Sequence, residues 1–216
     1  MFRPALWSFL GDTYAMKMLV VTLYLAAVAI SSSLPAEIDY PALWEAATPF
    51  PAFLENVKAR QEQWRSRFAN AAVDANSLNE ARALPGRRRI LAVAEDRCSD
   101  SAWAVPYIAK LAAAVPEKLE LRVIGPKQGH VVQAAHLTPD GRRATPTIVV
   151  LDEQSRFIGA WVERPAELQK HYLEKKPTVS RQDLYDYVNG WYTQDAGQTT
   201  IREVLSIMRR EPPEVK

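Results

Sequence analysis

The side chain in this sequence best suited to chemistry is the thiol of Cys98, the single cysteine of the chain. It follows a short apolar run, Ile90 to Ala94, and precedes an apolar stripe at helical spacing that begins at Ala102. This pattern predicts a thiol between the end of a buried strand and the first turn of a helix, where α/β sheets place functional groups. Free N–H groups at a helix N-terminus favour the thiolate, which is the nucleophilic form. One cysteine excludes an intramolecular disulfide and a cysteine-based metal cluster.

Polar residues surround the thiol on both sides in the sequence. Arg97 favours the thiolate, whereas Glu95, Asp96 and Asp100 oppose it because like charge disfavours an anion. Ser101 occupies the fourth place of a Cys-x-x-Ser unit, and its hydroxyl either hydrogen-bonds the thiolate or caps the helix. The two aspartates either relay protons to Cys98 or remain solvated loop carboxylates. Catalytic candidates are therefore Cys98, Ser101 and Asp100.

Other kinds of site find little support in the sequence. The three histidines have no metal-ligand spacing, and the eight glycines form no phosphate-binding loop, so we expect no metal and no cofactor. The net charge of +2 is too small to indicate nucleic acid binding. The run Arg87 to Arg89 is either a phosphate patch or, as we favour, a solvated entrance to a strand.

The first 36 residues have the composition of a targeting segment. Met18 to Ala36 contains no charged residue, Lys17 precedes it, and Ser31 to Ser33 offers small residues for cleavage. The apolar centre is shorter than the ~20 residues of a membrane span, which favours a cleaved signal peptide over a membrane anchor. A buried N-terminal helix is the alternative. We therefore expect an exported protein, periplasmic or otherwise extracytoplasmic, or a membrane-tethered one, with a cytoplasmic location as the alternative. Membrane contact is expected only through residues 1–36.

The remaining chain divides into a central domain and two helical extensions. Residues 87–176 read as strand, helix, strand, helix, strand, strand and helix, which predicts an α/β domain with a central mixed sheet flanked by helices. Residues 37–86 predict an amphipathic helix of about twenty residues after Pro49 and Pro51, then a short helix after Asp74. Residues 177–216 predict two helices, each opened by a capping box, Ser180 with Asp183 and Thr200 with Glu203.

Several short motifs in this order resemble the thioredoxin superfamily. Cys98-Ser99-Asp100-Ser101 after the first core strand resembles, more narrowly, bacterial thioredoxin-like proteins with the signature Glu-Asp-Trp-Cys-x-Asp-Ser. The resemblance extends from about Phe50 to Met208. The other pieces that carry it are Ala94-Glu95-Asp96, Val105-Pro106, Thr145-Pro146-Thr147, Arg164-Pro165 and Trp191-Tyr192-x-x-Asp195-x-Gly197.

The resemblance implies a thioredoxin fold in which Pro146 is cis and faces Cys98. It also implies that the backbone at Thr145 and Pro146 pairs with an extended segment of a substrate, and that Arg97 contributes to the same surface. Two departures matter. Arg97 replaces the usual Trp, which removes apolar surface beside the thiol. Ser101 stands where a dithiol thioredoxin has its second cysteine, so no internal thiol can resolve a mixed disulfide.

Three functions are consistent with these residues. The first is a monothiol thiol-disulfide oxidoreductase acting through Cys98 on a protein or low-molecular-weight disulfide, with an external thiol completing the cycle. The second is a non-catalytic module that binds a protein partner near Pro146. The third is a redox sensor in which Cys98 is reversibly oxidised or capped. The expected partners are a protein thiol or disulfide, an extended peptide segment, or a small thiol.

Overall fold

The computed structural model describes residues 38–212, so the predicted signal peptide or anchor of residues 1–36 lies outside the described residues. Within the described residues there are five strands and nine helices. The strands are β1 Thr48–Pro49, β2 Arg88–Val93, β3 Leu119–Ile124, β4 Thr147–Asp152 and β5 Phe157–Val162. The helices are α1 Tyr40–Ala46, α2 Phe50–Asn56, α3 Gln61–Asn70, α4 Ala75–Arg82, α5 Ser99–Ala114, α6 His130–Ala135, α7 Ala166–Lys175, α8 Arg181–Asp195 and α9 Gln198–Met208.

The strands form one mixed sheet in the order β1-β3-β2-β4-β5. β2 is parallel to β3 and antiparallel to β4, and β4 and β5 form an antiparallel hairpin. β2 lies at the centre, where Ala92 is in register with Val123 on one side and Ile148 on the other. The predicted α/β class with a mixed sheet flanked by helices is confirmed.

Both faces of the sheet are covered, which explains why β2 and β4 read as unbroken apolar runs. Side chains alternate between the faces. Ile90 and Ala92 join the larger core formed with α3, α5 and α9, whereas Leu91 and Val93 face a smaller cluster that includes Trp44 of α1. The carboxyl end of β2 therefore leads directly from the core towards Cys98.

The prediction of one helix of about twenty residues after Pro49 is wrong, because the chain forms two helices there, α2 and α3, with a break between them. At the break Arg60 has a left-handed backbone, with φ of 53°. The carboxylate of Asp96 accepts hydrogen bonds from the backbone N–H groups of Lys58 and Ala59, at 3.0 and 2.9 Å. Trp64 donates its indole N–H to the carbonyl of Asp96 at 3.0 Å. The N-terminal helical segment is thus fastened to the loop that precedes Cys98.

The first predicted capping box is confirmed and the second is wrong. Ser180 caps α8, accepting from the backbone N–H of Asp183 at 3.1 Å and donating to its carboxylate at 2.7 Å. By contrast, α9 begins at Gln198, and Thr200 is buried inside it. Its expected partner, Glu203, instead accepts the indole N–H of Trp161 at 2.7 Å and the backbone N–H of Ala166 at 2.9 Å.

α9 begins early because Gly197 makes the turn that separates it from α8. Its φ of 76° is left-handed, a conformation that glycine adopts without steric cost. A Cβ at this position would lie 2.1 Å from Cγ of Tyr107. Gly197 therefore serves both the turn and the close approach of the α5 aromatic ring.

The arginine run at the start of β2 is not the wholly solvated strand entrance that the sequence favours. Arg88 is buried and donates from Nε to the carbonyl of Met208 at 2.8 Å. Arg89 donates to the hydroxyl of Ser155 at 2.6 Å, and Arg87 lies 3.9 Å from the carboxylate of Glu120.

Across residues 38–212, none of the helices combines the length and the apolar character needed to cross a membrane.

Candidate active site

Cys98 is the N-cap residue of α5, directly after the loop that follows β2. Its half-buried Sγ accepts the backbone N–H of Ser101 at 3.4 Å and lies 3.2 Å from the carbonyl oxygen of Thr145, to which the thiol donates. α5 is held in place by its burial, since it is apolar on nearly all sides from Ala102 to Ala112. The sequence therefore predicted the setting of the thiol, and folding brings Cys98 and Thr145 together.

The loop before β4 is fixed by several backbone contacts. The Thr145–Pro146 peptide bond is cis. The carbonyl of Pro146 accepts the backbone N–H of Glu163 at 2.8 Å. The carbonyl of Ala144 accepts from Nε2 of Gln133 at 2.7 Å and from the hydroxyl of Thr147 at 2.9 Å. The carbonyl that faces the thiol thus belongs to a well-anchored segment.

Ser101 contacts the thiol through its backbone, not through its hydroxyl. The side chain is fully buried, and its Oγ has no hydrogen-bond partner among the described residues. The expectation that Ser101 caps the helix is therefore wrong, because Cys98 is the cap. The hydroxyl occupies a buried position one turn into the helix.

Asp100 is buried and paired, so the interpretation of this residue as a solvated loop carboxylate is wrong. Its two oxygens accept from Nε and Nη2 of Arg164 at 2.9 and 2.8 Å, which is a bidentate arrangement. Burial raises the pKa of the Asp100 carboxyl, and the Arg164 guanidinium opposes that rise by stabilising the carboxylate.

Arg164 extends this pair into a network of buried charges. Its Nη1 lies 3.0 Å from Oε1 of Gln169 and 3.1 Å from Oε2 of Glu163. Glu163 also contacts Nη2 of Arg142 at 3.1 Å. Sequence reasoning did not assign a role to Glu163 or Arg164, because their partners are distant in the chain. The single available signal was the Arg164-Pro165 pair within the family resemblance.

The loop before the thiol presents Arg97 to solvent. Its side chain is 81% exposed and lies 3.1 Å from the carboxylate of Glu95. Its backbone carbonyl accepts from Nε of Arg60 at 2.8 Å. Asp96 is used structurally, because the N–H groups of Ala59 and Lys58 lower the pKa of its carboxyl. Of the predicted site residues, Arg97 alone has a freely exposed charged side chain.

α5 is also tied to the C-terminal helices. The indole of Trp103 stacks on Tyr192, with ring centroids 5.2 Å apart, and donates to Oδ1 of Asn189 at 2.8 Å. The guanidinium of Arg67 lies 3.2 Å above the same indole. Burial lowers the pKa of Arg67 to about 10. The helix that begins at Cys98 is therefore fixed from both extensions.

Other candidate sites among the described residues do not include Cys98. Within residues 38–212 no three His, Cys, Asp or Glu side chains form a group that could hold a metal ion. His136 stacks on Phe157 and lies 3.2 Å from the hydroxyl of Tyr40, and burial lowers its pKa. A cavity of about 540 Å³ lies between β5 and α7, and its lining includes Arg164 and Gln169 of the charge network but neither Cys98 nor Thr145.

A family model described as thioredoxin matches residues 47–179, which is more than half of the chain. The chain belongs to the thioredoxin family. The match spans the thiol of Cys98 and the loop at Pro146, so the paired elements of the site lie within the thioredoxin region.

Two solved structures share the fold. A protein of unknown function from Pseudomonas aeruginosa is 22% identical, with a TM-score of 0.60, over 80% of this chain and 98% of that one. An HIV epitope-scaffold is 20% identical, also with a TM-score of 0.60, over 79% of this chain and 98% of the scaffold. No curated protein matches the sequence.

Proposed function

We propose that this thioredoxin-family protein is a monothiol thiol-disulfide oxidoreductase that acts through Cys98. The observation that carries the proposal is the position of Sγ between an N–H donor, from Ser101, and a carbonyl acceptor, from Thr145. The N–H stabilises the thiolate that attacks, and the carbonyl holds the proton of the resting thiol. A half-buried sulfur at a helix N-terminus remains accessible to a disulfide.

The reaction is a disulfide exchange in two steps. The Cys98 thiolate attacks one sulfur of a substrate disulfide, the substrate S–S bond breaks, and the second sulfur leaves as a thiolate that takes up a proton. Cys98 is then joined to the substrate in a mixed disulfide. When the thiol proton is lost, the Thr145 carbonyl is freed to pair with a backbone N–H of an extended substrate segment.

Release from the mixed disulfide needs a second thiol from outside the chain. Ser101 occupies the place of a resolving cysteine, and a hydroxyl cannot attack the mixed disulfide in this way. We assign this step to a low-molecular-weight thiol such as glutathione, whose thiolate attacks the substrate-derived sulfur and frees Cys98. The proposed substrate is a protein disulfide or an S-thiolated protein, met in an exported or membrane-tethered location.

Reaction of the reduced full chain with oxidised glutathione tests this function. We expect a mixed disulfide on Cys98, detected by mass spectrometry, which forms faster in the folded protein than in the same chain unfolded in urea. Reduced glutathione should then regenerate the free thiol. Cys98→Ser is the control and should form no adduct. A folded thiol that reacts more slowly than the unfolded one would exclude the catalytic role.

A second candidate function is a binding module, and one contact favours it. The thiol of Cys98 already occupies the Thr145 carbonyl, so it can serve as a fixed structural hydrogen bond instead of a nucleophile. In that case the surface near Pro146 binds a protein partner and the sulfur takes no part. Binding of that partner would then survive Cys98→Ser, whereas capture through a mixed disulfide would not.

A further inference from the structure

The site is assembled from three chain segments, and one dipeptide touches the other two. Glu163 donates its backbone N–H to the carbonyl of Pro146 at 2.8 Å. The next residue, Arg164, holds both oxygens of Asp100, two positions after Cys98. Glu163 and Arg164 therefore connect the loop that faces the thiol to the first turn of the helix that carries it.

The backbone of Glu163 is held in an unusual conformation. Its φ is 65°, in the left-handed region that non-glycine residues seldom adopt. The residue is 5% exposed, and its carboxylate accepts from Arg142, Arg164 and Gln169, each at 3.1 Å. Because a buried carboxylate needs these partners, they fix the turn that points the Glu163 N–H at Pro146.

The guanidinium of Arg164 is fully engaged. It is 7% exposed, makes the bidentate contact with Asp100, and donates from Nη1 to Gln169 at 3.0 Å. One face lies 3.9 Å from the ring of Tyr172. A planar guanidinium with fixed partners holds the Asp100 carboxylate in one place. A flexible ammonium holds it less well, because it cannot make two parallel hydrogen bonds to one carboxylate.

We propose that Glu163 and Arg164 are positioning residues that set the separation of Cys98 and Thr145. Arg164 acts through Asp100 on the helix, and Glu163 acts through its N–H on the loop. This inference rests on the proposed function in one respect: the separation controls the reaction of Cys98 only if that thiol reacts. The positioning itself is a property of the fold and can be measured without turnover.

A purely structural ion pair is the competing explanation, and the chain contains a matched control. Asp152 is 4% exposed, and its carboxylate lies 2.6 Å from Nε of Arg156. Asp152 is the last residue of β4 and Thr147 is the first, so the pair lies at the far end of the strand from Thr147. Asp152→Asn therefore removes the charge of a buried carboxylate that pairs with an exposed arginine side chain, at the end of β4 that lies away from Cys98.

Amide hydrogen exchange in the full chain tests the positioning directly. In Arg164→Gln and Arg164→Lys we expect the amides of Ser101 and Glu163 to exchange on the order of tenfold faster than in the unaltered chain. Asp152→Asn should leave both amides unchanged. The lysine variant retains the charge and keeps the test usable if the glutamine variant fails to fold. Equal exchange of these amides in the arginine variants and in Asp152→Asn would overturn the proposal.

The rate of mixed-disulfide formation from pH 5 to 9 links positioning to chemistry. We expect both arginine variants to react about tenfold more slowly and with a shifted pH profile, and Asp152→Asn to react as the unaltered chain does. Equal loss of rate in Asp152→Asn would reduce the pair to a stability role. If the unaltered chain forms no mixed disulfide, the proposed function fails, and the amide exchange still decides whether Arg164 positions the site.

Discussion

The thiol of Cys98 donates a hydrogen bond at 3.2 Å to the backbone carbonyl of Thr145, a residue 47 positions later in the chain. The same sulfur accepts the N–H of Ser101 and so caps the helix it precedes. One side chain therefore caps a helix and joins the loop after β2 to the loop before β4. Because of these two hydrogen bonds, we expect the thiol to contribute to the free energy of unfolding as well as to the proposed disulfide exchange.

Replacing Cys98 should separate the two hydrogen bonds from the sulfur chemistry. A serine hydroxyl can both accept from Ser101 and donate to Thr145, whereas alanine can do neither. We expect Cys98→Ala to lower the free energy of unfolding by about 1 kcal/mol and Cys98→Ser to change it by less than about 0.5 kcal/mol. Urea denaturation measures both. Equal losses in the two variants would contradict the expectation that a hydroxyl can replace both hydrogen bonds of Sγ.

Ser101→Cys should convert the site into a dithiol. The Ser101 side chain is buried without a partner, so a thiol replaces the hydroxyl without breaking a hydrogen bond among the described residues. Residues three apart on a helix are neighbours, within the range that a disulfide can bridge. We expect oxidised glutathione to produce an intramolecular disulfide, seen as loss of both thiols without an adduct. The matched control is Ser99→Cys, whose adjacent thiol should form a glutathione adduct instead.

Asp96 should make stability depend on acid pH. The N–H groups of Ala59 and Lys58 lower the pKa of its carboxyl in the folded chain, so the stabilisation is present above the ordinary aspartate pKa of about 3.9. It is lost as the pH falls through the lower folded-state pKa, because protonation removes the charged acceptor. We expect Asp96→Asn to cost about 1 to 3 kcal/mol at pH 7, and the cost to fall as the pH is lowered through the folded-state pKa. A cost that does not change with pH would contradict this account.

Gly197 and Gly190 should respond oppositely to alanine. At Gly197 a Cβ would meet the Tyr107 ring at 2.1 to 2.4 Å and would require a left-handed backbone at φ 76°. We expect a loss of about 2 to 4 kcal/mol. Gly190 lies inside α8 with nothing within 4 Å of its Cβ position, so alanine there should add about 0.5 to 1 kcal/mol. Thermal unfolding of the two variants, compared side by side, checks both signs.

The sequence predicted those structural features that depend on interactions between residues close together in the chain. The apolar run of β2, the stripe of α5 and the Ser180 capping box are each set by residues within a few positions. For this reason the strand–helix junction at Cys98 was predictable before the structure. The family resemblance added Thr145 and Pro146, which no local pattern connects to the thiol.

Two of the errors arise where a distant partner overrides a local preference. The helix predicted after Pro49 breaks because Asp96, which is 37 and 38 residues away, binds the amides of Ala59 and Lys58. Asp100 is buried because Arg164, 64 residues later, pairs with it. Such pairings depend on the completed sheet, and no window of sequence around Asp100 contains them.

The shortness of β1 has a consequence for how the protein behaves among its own copies. The strand has two residues, Thr48 and Pro49, and it covers β3 at the outer side of the sheet. Proline has no N–H, so β1 can offer a neighbouring molecule at most one backbone donor. A long, regular edge is a template for aggregation, and among residues 38–212 this side of the sheet has none. Growth of intermolecular β-structure is thereby discouraged at the β1 side, even when many copies are crowded together.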